Sequence, residues 1–255
     1  MSFDVAAEAY DRFMGGWSRP LSGPFADFAG VAAGQRVIDV GCGPGNLLAE
    51  LEARLGVESV AAVDPSSPFV AAARARHPGA DVQQASAESL PYPDAGFDAA
   101  LAQLVVHFMT DPVAGLREMA RVTRPGGVVA ACVWDHATGQ GPVSLFWKAA
   151  RELDPAAADE GGLAGAREGH LVELLTAAGA TQVAGGELAV SRDFASFDEW
   201  WEPYTRGVGP AGGYVASLDP ARRAALAERC RSMLPDGAFT LTAVAWAARG
   251  LSPDR

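Results

Sequence analysis

Short apolar runs alternate with amphipathic stretches of helical length through the first half of the chain. Arg36-Val37-Ile38-Asp39-Val40 is a short β-branched run ended by the glycines of Gly41-Cys42-Gly43-Pro44-Gly45. Leu47, Leu48, Leu51 and Leu55 then recur at helical spacing until Gly56. Ser59 to Val63 predicts a second strand that ends at Asp64. Ser67 as N-cap and Pro68 at the first helical position predict a helix that stops before Pro78-Gly79. Asp81 to Ala85 and Phe97 to Val106 predict the third and fourth strands, and Asp111-Pro112 repeats the cap-and-proline start. Val113, Leu116, Met119 and Ala120 form the apolar stripe of that helix, and Val128 to Trp134 is a continuous apolar strand. Strands that read as buried runs separated by helices predict a parallel sheet covered on both faces.

Beyond Trp134 the pattern loosens. Val143 to Leu153 and Gly169 to Ala178 predict helices, and Thr181 to Val190 a strand. Ser196 with Glu199 three residues on has the form of a capping box, leading a helix through Trp200, Trp201 and Tyr204. Asp219-Pro220 opens another helix that ends at Pro235-Asp236-Gly237, and Phe239 to Ala247 is the last predicted strand.

Composition narrows the class of protein. The 255 residues suit one elaborated domain, and 49% hydrophobic with 20% charged residues describes a folded chain rather than a disordered one. Thirty-one acids against 20 bases give a net charge of −11, which disfavours a general electrostatic grip on nucleic acid or an anionic membrane. Cys42, Cys132 and Cys230 suggest neither a disulfide framework nor a zinc site. His77, His107, His136 and His170 lack metal-binding spacing, so no metal is expected. The N-terminus has no signal pattern, and no apolar run approaches the roughly 20 residues of a membrane span; a soluble cytoplasmic protein, monomeric or homodimeric, is expected.

The informative stretch is Asp39-Val40-Gly41-Cys42-Gly43-Pro44-Gly45-Asn46. A glycine loop between a first strand and its helix lets backbone approach a ligand closely, at the sheet edge where open α/β folds bind. The candidates are a dinucleotide and another adenosine-bearing ligand. The dinucleotide fingerprint is GxGxxG, whereas these glycines fall as GxGxG. Asp39 would also oppose a pyrophosphate at the helix N-terminus and would welcome a ligand carrying an ammonium and a sulfonium.

On these residues the chain resembles the class I S-adenosylmethionine (SAM)-dependent methyltransferases, in particular the type-11 group that includes ubiquinone/menaquinone-biosynthesis enzymes. The resemblance covers roughly Tyr10 to Trp134, with a weaker echo around Ala245-Trp246. It implies a Rossmann-like, seven-stranded, mostly parallel sheet with helices on both faces, an N-terminal lid and a helical cap insertion. The expected layout is a single domain, with lid helices over 1–33 and a SAM-binding core over 34–135. Cap segments would occupy 136–180 and 191–237, and final strands 181–190 and 238–249.

The resemblance also implies site residues. Asp39, Gly41, Gly43 and Gly45 would hold the methionine end of SAM. Asp64 would accept the ribose hydroxyls, and Pro65 and Ser66 would flank the adenine. Ala85-Ser86-Ala87-Glu88-Ser89-Leu90-Pro91 resembles the family's Gly-Asp-Ala-Glu-x-Leu-Pro segment at the adenine edge, with Ser86 in place of the frequent Asp. Gln103 and Leu104 would meet the methionine portion. Arg124-Pro125-Gly126-Gly127 matches the family's turn before the fifth strand. Tyr10 would line the methyl pocket, and Arg19 would pair with the methionine carboxylate.

The implied activity is in-line methyl transfer to a small-molecule acceptor, with S-adenosylhomocysteine as product. Holding the acceptor in line and excluding water can supply most of the acceleration. His107, after the fourth strand, is the candidate general base; its alternative is a packed residue under the cofactor, and His136 is a weaker candidate. Trp134, Phe146, Trp147, Trp200, Trp201, Tyr204 and Tyr214 either form an apolar or aromatic acceptor pocket or dock the cap on the sheet. Gln103-Leu104-Val105-Val106 stands where DNA amino-methylating enzymes carry Asn-Pro-Pro-Tyr, which disfavours a nucleic-acid substrate. The rival classes are a SAM-binding module without catalysis and, further off, an NAD(P)-dependent oxidoreductase.

Overall fold

The computed structural model describes residues 11–157 and 160–254. Five strands run parallel: β1 (Val37–Val40), β2 (Val60–Asp64), β3 (Asp81–Gln84), β4 (Phe97–Gln103) and β5 (Thr123–Trp134). β6 (Thr181–Phe194) and β7 (Phe239–Leu251) form a hairpin whose β7 arm pairs antiparallel with β5. The seven strands lie in the order β3-β2-β1-β4-β5-β7-β6. The chain therefore leaves β1 toward β2 on one side and returns to β4 on the other, and the gap above β1 is where such sheets bind ligands.

Period-two alternation sends side chains to two separate apolar layers. Val37, Ala62, Leu101 and Cys132 pack with α1 (Gly16–Ala29) and α2 (Asn46–Leu55), while Ile38, Val40, Ala61 and Ala131 face α4 (Pro112–Val122) and α6 (His170–Ala177). Asp39 and Gln103 lie on the α1 side, buried polar residues in an otherwise apolar layer. α3 (Ser67–Arg76) follows β2, and its N-cap is Ser66 rather than the predicted Ser67. α1 carries Pro20 and Pro24 yet continues to Gly30, held by buried Trp17, Leu21 and Phe25.

The later half departs most from expectation. β4 stops at Gln103 because Leu104 takes φ +62°, and its N–H bonds to Cys132 O at 2.8 Å; Val106–Phe108 is a 3₁₀ turn, not strand. β5 begins at Thr123, with a register jump across Arg124-Pro125-Gly126-Gly127. β6 runs on to Phe194, four residues past the predicted end, because β7 pairs with it throughout. α8 (Gly209–Ser217) lay unpredicted between α7 (Phe197–Trp201) and α9 (Pro220–Arg231). Its Gly209, Gly212 and Gly213 are poor helix formers, and burial of Ala211 and Val215 holds it. Among the described residues no helix is long and apolar enough to cross a membrane.

The predicted caps form as hydrogen bonds. Asp111 accepts from Ala114 N at 2.9 Å and Asp219 from Arg222 N at 2.8 Å, and Ser196 accepts from Glu199 N at 3.3 Å. Asp111→Ala is expected to lower stability by about 1 kcal/mol, read as a shifted midpoint in urea with unchanged slope.

Candidate functional site

The glycine loop is fastened to the end of β2. Gly41 N–H and Cys42 N–H both donate to Val63 O, at 2.8 and 2.9 Å. Gly43 N–H donates to Asp64 Oδ2 at 2.9 Å, and Ser66 N–H donates to Asp64 Oδ1 at 2.8 Å. One carboxylate thus ties two loops together, and each of its oxygens keeps a second lone pair. Burial raises the Asp64 pKa, and the two backbone donors offset that rise in part. From the other side Arg76 donates to Pro44 O at 3.2 Å and forms an ion pair with Asp11 at 2.5 Å.

Gly41, at φ +77°, lies where a Cβ would meet Val105 at 2.3 Å, so it is glycine for both conformation and space. Gly45, at φ +97°, packs on His77, whose Nδ1 is 2.6 Å from Glu52.

Asp39 is 1% exposed, and among the described residues its Oδ2 has no hydrogen-bond partner. Burial, and then the charge of Asp64, push its pKa up to about 8. Nearby, the Gln103 amide donates to Ser18 O at 3.0 Å and Ser22 Oγ at 3.2 Å, leaving its own buried Oε1 without a partner among the described residues. Two unpartnered acceptors therefore stand at the ends of adjacent strands β1 and β4.

These groups open on one cavity of about 460 Å³. Asp39, Gly41, Gly43 and Asp64 line it from β1 and β2, with Pro65 and Ser66 beyond. Ser86, Ala87 and Glu88 line it from the segment after β3; Gln103, Leu104 and His107 line it from the end of β4. Glu88 accepts from Thr110 N at 2.8 Å, so its carboxylate also holds the loop after β4.

Three expected residues stand differently. Gly45 shapes the start of α2 without lining the cavity. Arg19 points away from it: 59% exposed, it pairs with Asp11 at 3.1 Å and donates to Asn46 at 3.0 Å. Tyr10 lies outside the described residues. Conversely, Ser18 and Asn46 line the cavity and bond each other at 2.8 Å; Asn46 directly follows the quoted glycine loop, and its polarity at a helix start was the available signal.

A second, smaller cavity of about 50 Å³ shares Leu104, His107 and Phe108 with the first. Apolar groups from Phe13, Trp134, Val143 and the start of α8 surround it, with His107, His136 and Glu160 as its ionisable members. Burial, and then the neighbouring His136, pull the His107 pKa down to about 3, so its imidazole is neutral, and its Nδ1 has no partner among the described residues. The His107 and His136 rings are 6.1 Å apart, and His136 Nδ1 lies 3.4 Å from Glu160 Oε2. Glu160 sits in an irregular stretch with no periodic signal, which is why sequence reasoning passed over it.

The aromatic residues of the cap divide. Trp134 lines the small cavity, whereas Phe146 and Tyr204 stack at 4.7 Å, with Trp200, Trp201 and Tyr214 around them, and serve as core. Trp147 lines only an outer groove.

Residues 38–131, from β1 into β5, match the family described as a methyltransferase domain. Over this segment the chain is similar to the class I methyltransferases of the type-11 group. Malonyl-[acyl-carrier protein] O-methyltransferase of Erwinia billingiae is 35% identical over 128 residues, covering 50% of this chain and 50% of that protein. The ubiquinone/menaquinone biosynthesis C-methyltransferase UbiE of Bdellovibrio bacteriovorus is 36% identical over 106 residues, 40% of this chain and 45% of that one. The chain spans about half the length of these curated relatives. In fold, the methyltransferase domain and its additions resemble phosphoethanolamine N-methyltransferase 2 of Haemonchus contortus, solved with S-adenosyl-L-methionine: TM-score 0.59, 18% identity, 97% of this chain and 57% of that one. They also resemble the [4+2]-cyclase SpnF, with TM-score 0.55, 22% identity, and 92% and 82% coverage. A methyltransferase and a cyclase share this fold, so the chemistry must be argued from the site.

Proposed function

We propose that the protein is a SAM-dependent methyltransferase acting on a small, largely apolar acceptor. The observation that carries this reading is the Asp39 carboxyl, buried at the floor of the glycine-loop cavity with its Oδ2 unpartnered among the described residues. A buried carboxyl without a cation is an unfavourable group, and an ammonium at Oδ2 would relieve it. The lone Gln103 Oε1 supplies a second acceptor for the same ammonium. Asp64, held by two backbone donors with lone pairs remaining, suits a ribose diol. The unpartnered Ser66 Oγ, with Pro65, Ser86, Ala87 and Glu88, frames the adenine end. Leu104 and His107 bound the far end, where the small cavity begins.

Bound there, SAM would supply a methyl group on a positively charged sulfur, ready for displacement. The chain's part is to hold the cofactor, to shield the small cavity from water with apolar groups, and to present an acceptor in line. Arg19 takes no direct part and acts only through Asp11 and Asn46. One relative is named for methylating oxygen and another for methylating carbon, so similarity supports methyl transfer without selecting the acceptor atom.

Calorimetric titration with S-adenosylhomocysteine and with NAD tests the reading. S-adenosylhomocysteine is expected to bind and NAD to give no heat of binding; the reverse result refutes it. Asp64→Ala is expected to weaken S-adenosylhomocysteine about 10- to 100-fold, by about 1–3 kcal/mol, through lost ribose bonds and a loosened Gly43. Unchanged affinity would remove Asp64 from the binding set.

A further inference from the structure

His136 and Glu160 are the wall between two spaces. On one side is the small apolar cavity that adjoins the cofactor cavity; on the other is an open groove of about 500 Å³. Their side chains are only 6% and 11% exposed, and the carboxylate lies 3.4 Å from the ring nitrogen. A buried imidazole–carboxylate pair loses much hydration, and placing one against a reaction cavity suits a group that must gain and release a proton. Trp134 also lines this cavity, and its indole N–H has no partner among the described residues.

We infer that His136 and Glu160 form the proton-accepting pair of the site, that the acceptor presents a hydroxyl group on an apolar body, and that His107 orients this hydroxyl rather than deprotonating it. The inference rests on the methyltransferase reading above.

The polar groups choose a hydroxyl. It can donate toward His136 and accept from the Trp134 indole, using both kinds of group present. An ammonium can only donate, and it would enter an apolar cavity carrying its charge. A carboxylate would meet Glu160 with like charge, and it needs no base. At about 50 Å³ the cavity takes a reacting end and leaves the rest of the acceptor outside.

The acceptor O–H bond breaks and its proton passes to the His136 imidazole, which Glu160 stabilises as a cation. The oxygen keeps the electron pair and forms the bond to the methyl carbon. The carbon–sulfur bond breaks with its pair returning to sulfur, leaving a neutral thioether. The proton then leaves along the groove that His136 and Glu160 also line.

Other charged groups stand around His136 among the described residues. His107 faces it from the turn after β4, and Lys148 and Arg151 of α5 (Ser144–Leu153) line the groove side. Asp135 is engaged by Thr138 and Gln140.

The test uses 4-nitrophenol, whose ionised form is coloured, added to protein saturated with S-adenosylhomocysteine at a pH below the probe's own pKa. Probe bound to the unmodified protein is expected to be mostly ionised. In Glu160→Gln and His136→Gln the ratio of ionised to protonated bound probe is expected to fall at least about tenfold. Undiminished S-adenosylhomocysteine affinity in both shows that they are folded. In His107→Ala the probe is expected to bind more weakly with its ionised share kept. An equally ionised probe in both glutamine variants overturns the inference, as does a probe left as it is in buffer. If S-adenosylhomocysteine binds but the probe stays protonated, only this inference fails. If S-adenosylhomocysteine does not bind, the methyltransferase reading fails with it.

Discussion

Asp39→Asn is expected to stabilise the ligand-free protein while weakening S-adenosylhomocysteine by about 100-fold or more. The binding loss follows from removing the charge opposite an ammonium in a buried site, about 3 kcal/mol by the usual scale of charge-assisted bonds. The stability gain follows from linkage. In the folded chain Asp39 keeps its proton up to about pH 8, whereas the ordinary value is 3.8. Between those values the unfolded chain binds fewer protons at this group than the folded one. Its contribution to stability is therefore full below about pH 4 and is lost as pH rises through about 8. Asparagine has no such slope. Thermal unfolding without ligand should show the variant gaining on wild type from pH 5 to pH 8.5, by about 2–4 °C for each kcal/mol restored. A variant that loses ground over that range would contradict the assignment of an uncompensated carboxyl. The same substitution thus separates folding from binding: the fold tolerates Asp39, and the ligand needs it.

Gly41→Ala is expected to be the most damaging single-methyl change in the cofactor loop. Its Cβ would lie 2.3 Å from Val105 Cγ2, 2.8 Å from Cβ and 2.9 Å from Cγ1, so the whole Val105 side chain must move. The backbone at φ +77° adds strain of about 1–2 kcal/mol. A total of about 2–4 kcal/mol in denaturant unfolding is expected, with loss of S-adenosylhomocysteine binding as the loop shifts. Gly43→Ala is the internal control. It too has positive φ, at +53°, but none of the described residues stands within 4 Å of the new methyl. It should cost only about 1 kcal/mol of stability. Adding Val105→Ala to Gly41→Ala should recover part of the loss, and a double variant no better than the single one would show that space is not the cause.

Both experiments act on one junction. The β1 end carries the orphan carboxyl, the β2 end carries Asp64, and the β4 end carries Gln103 and then the strained Leu104. The order of strands brings these three ends side by side although 64 residues separate Asp39 from Gln103 in the chain. Val105, next in sequence to Leu104, packs on Gly41, so the loop after β4 and the loop after β1 share one contact. A change in either is felt by the other.

The amino-acid sequence marked the alternation of strands and helices up to Trp134, the caps at Asp111, Ser196 and Asp219, and, among the residues that line the glycine-loop cavity, Asp39, Gly41, Gly43, Asp64, Pro65, Ser66, Ser86, Ala87, Glu88, Gln103 and Leu104. It could do so because those features are local: apolar period, capping chemistry and glycines that permit positive φ all act within a few residues. Packing between distant segments settled the remainder. It lengthened β6 to Phe194, since a strand extends as far as its partner allows. It formed α8 against its own glycines, since burial outweighs propensity. It turned Arg19 outward to Asp11 and Asn46, and it set His136 beside Glu160 across an irregular stretch. Those are distances through space between segments with no shared period, and packing alone brings them together.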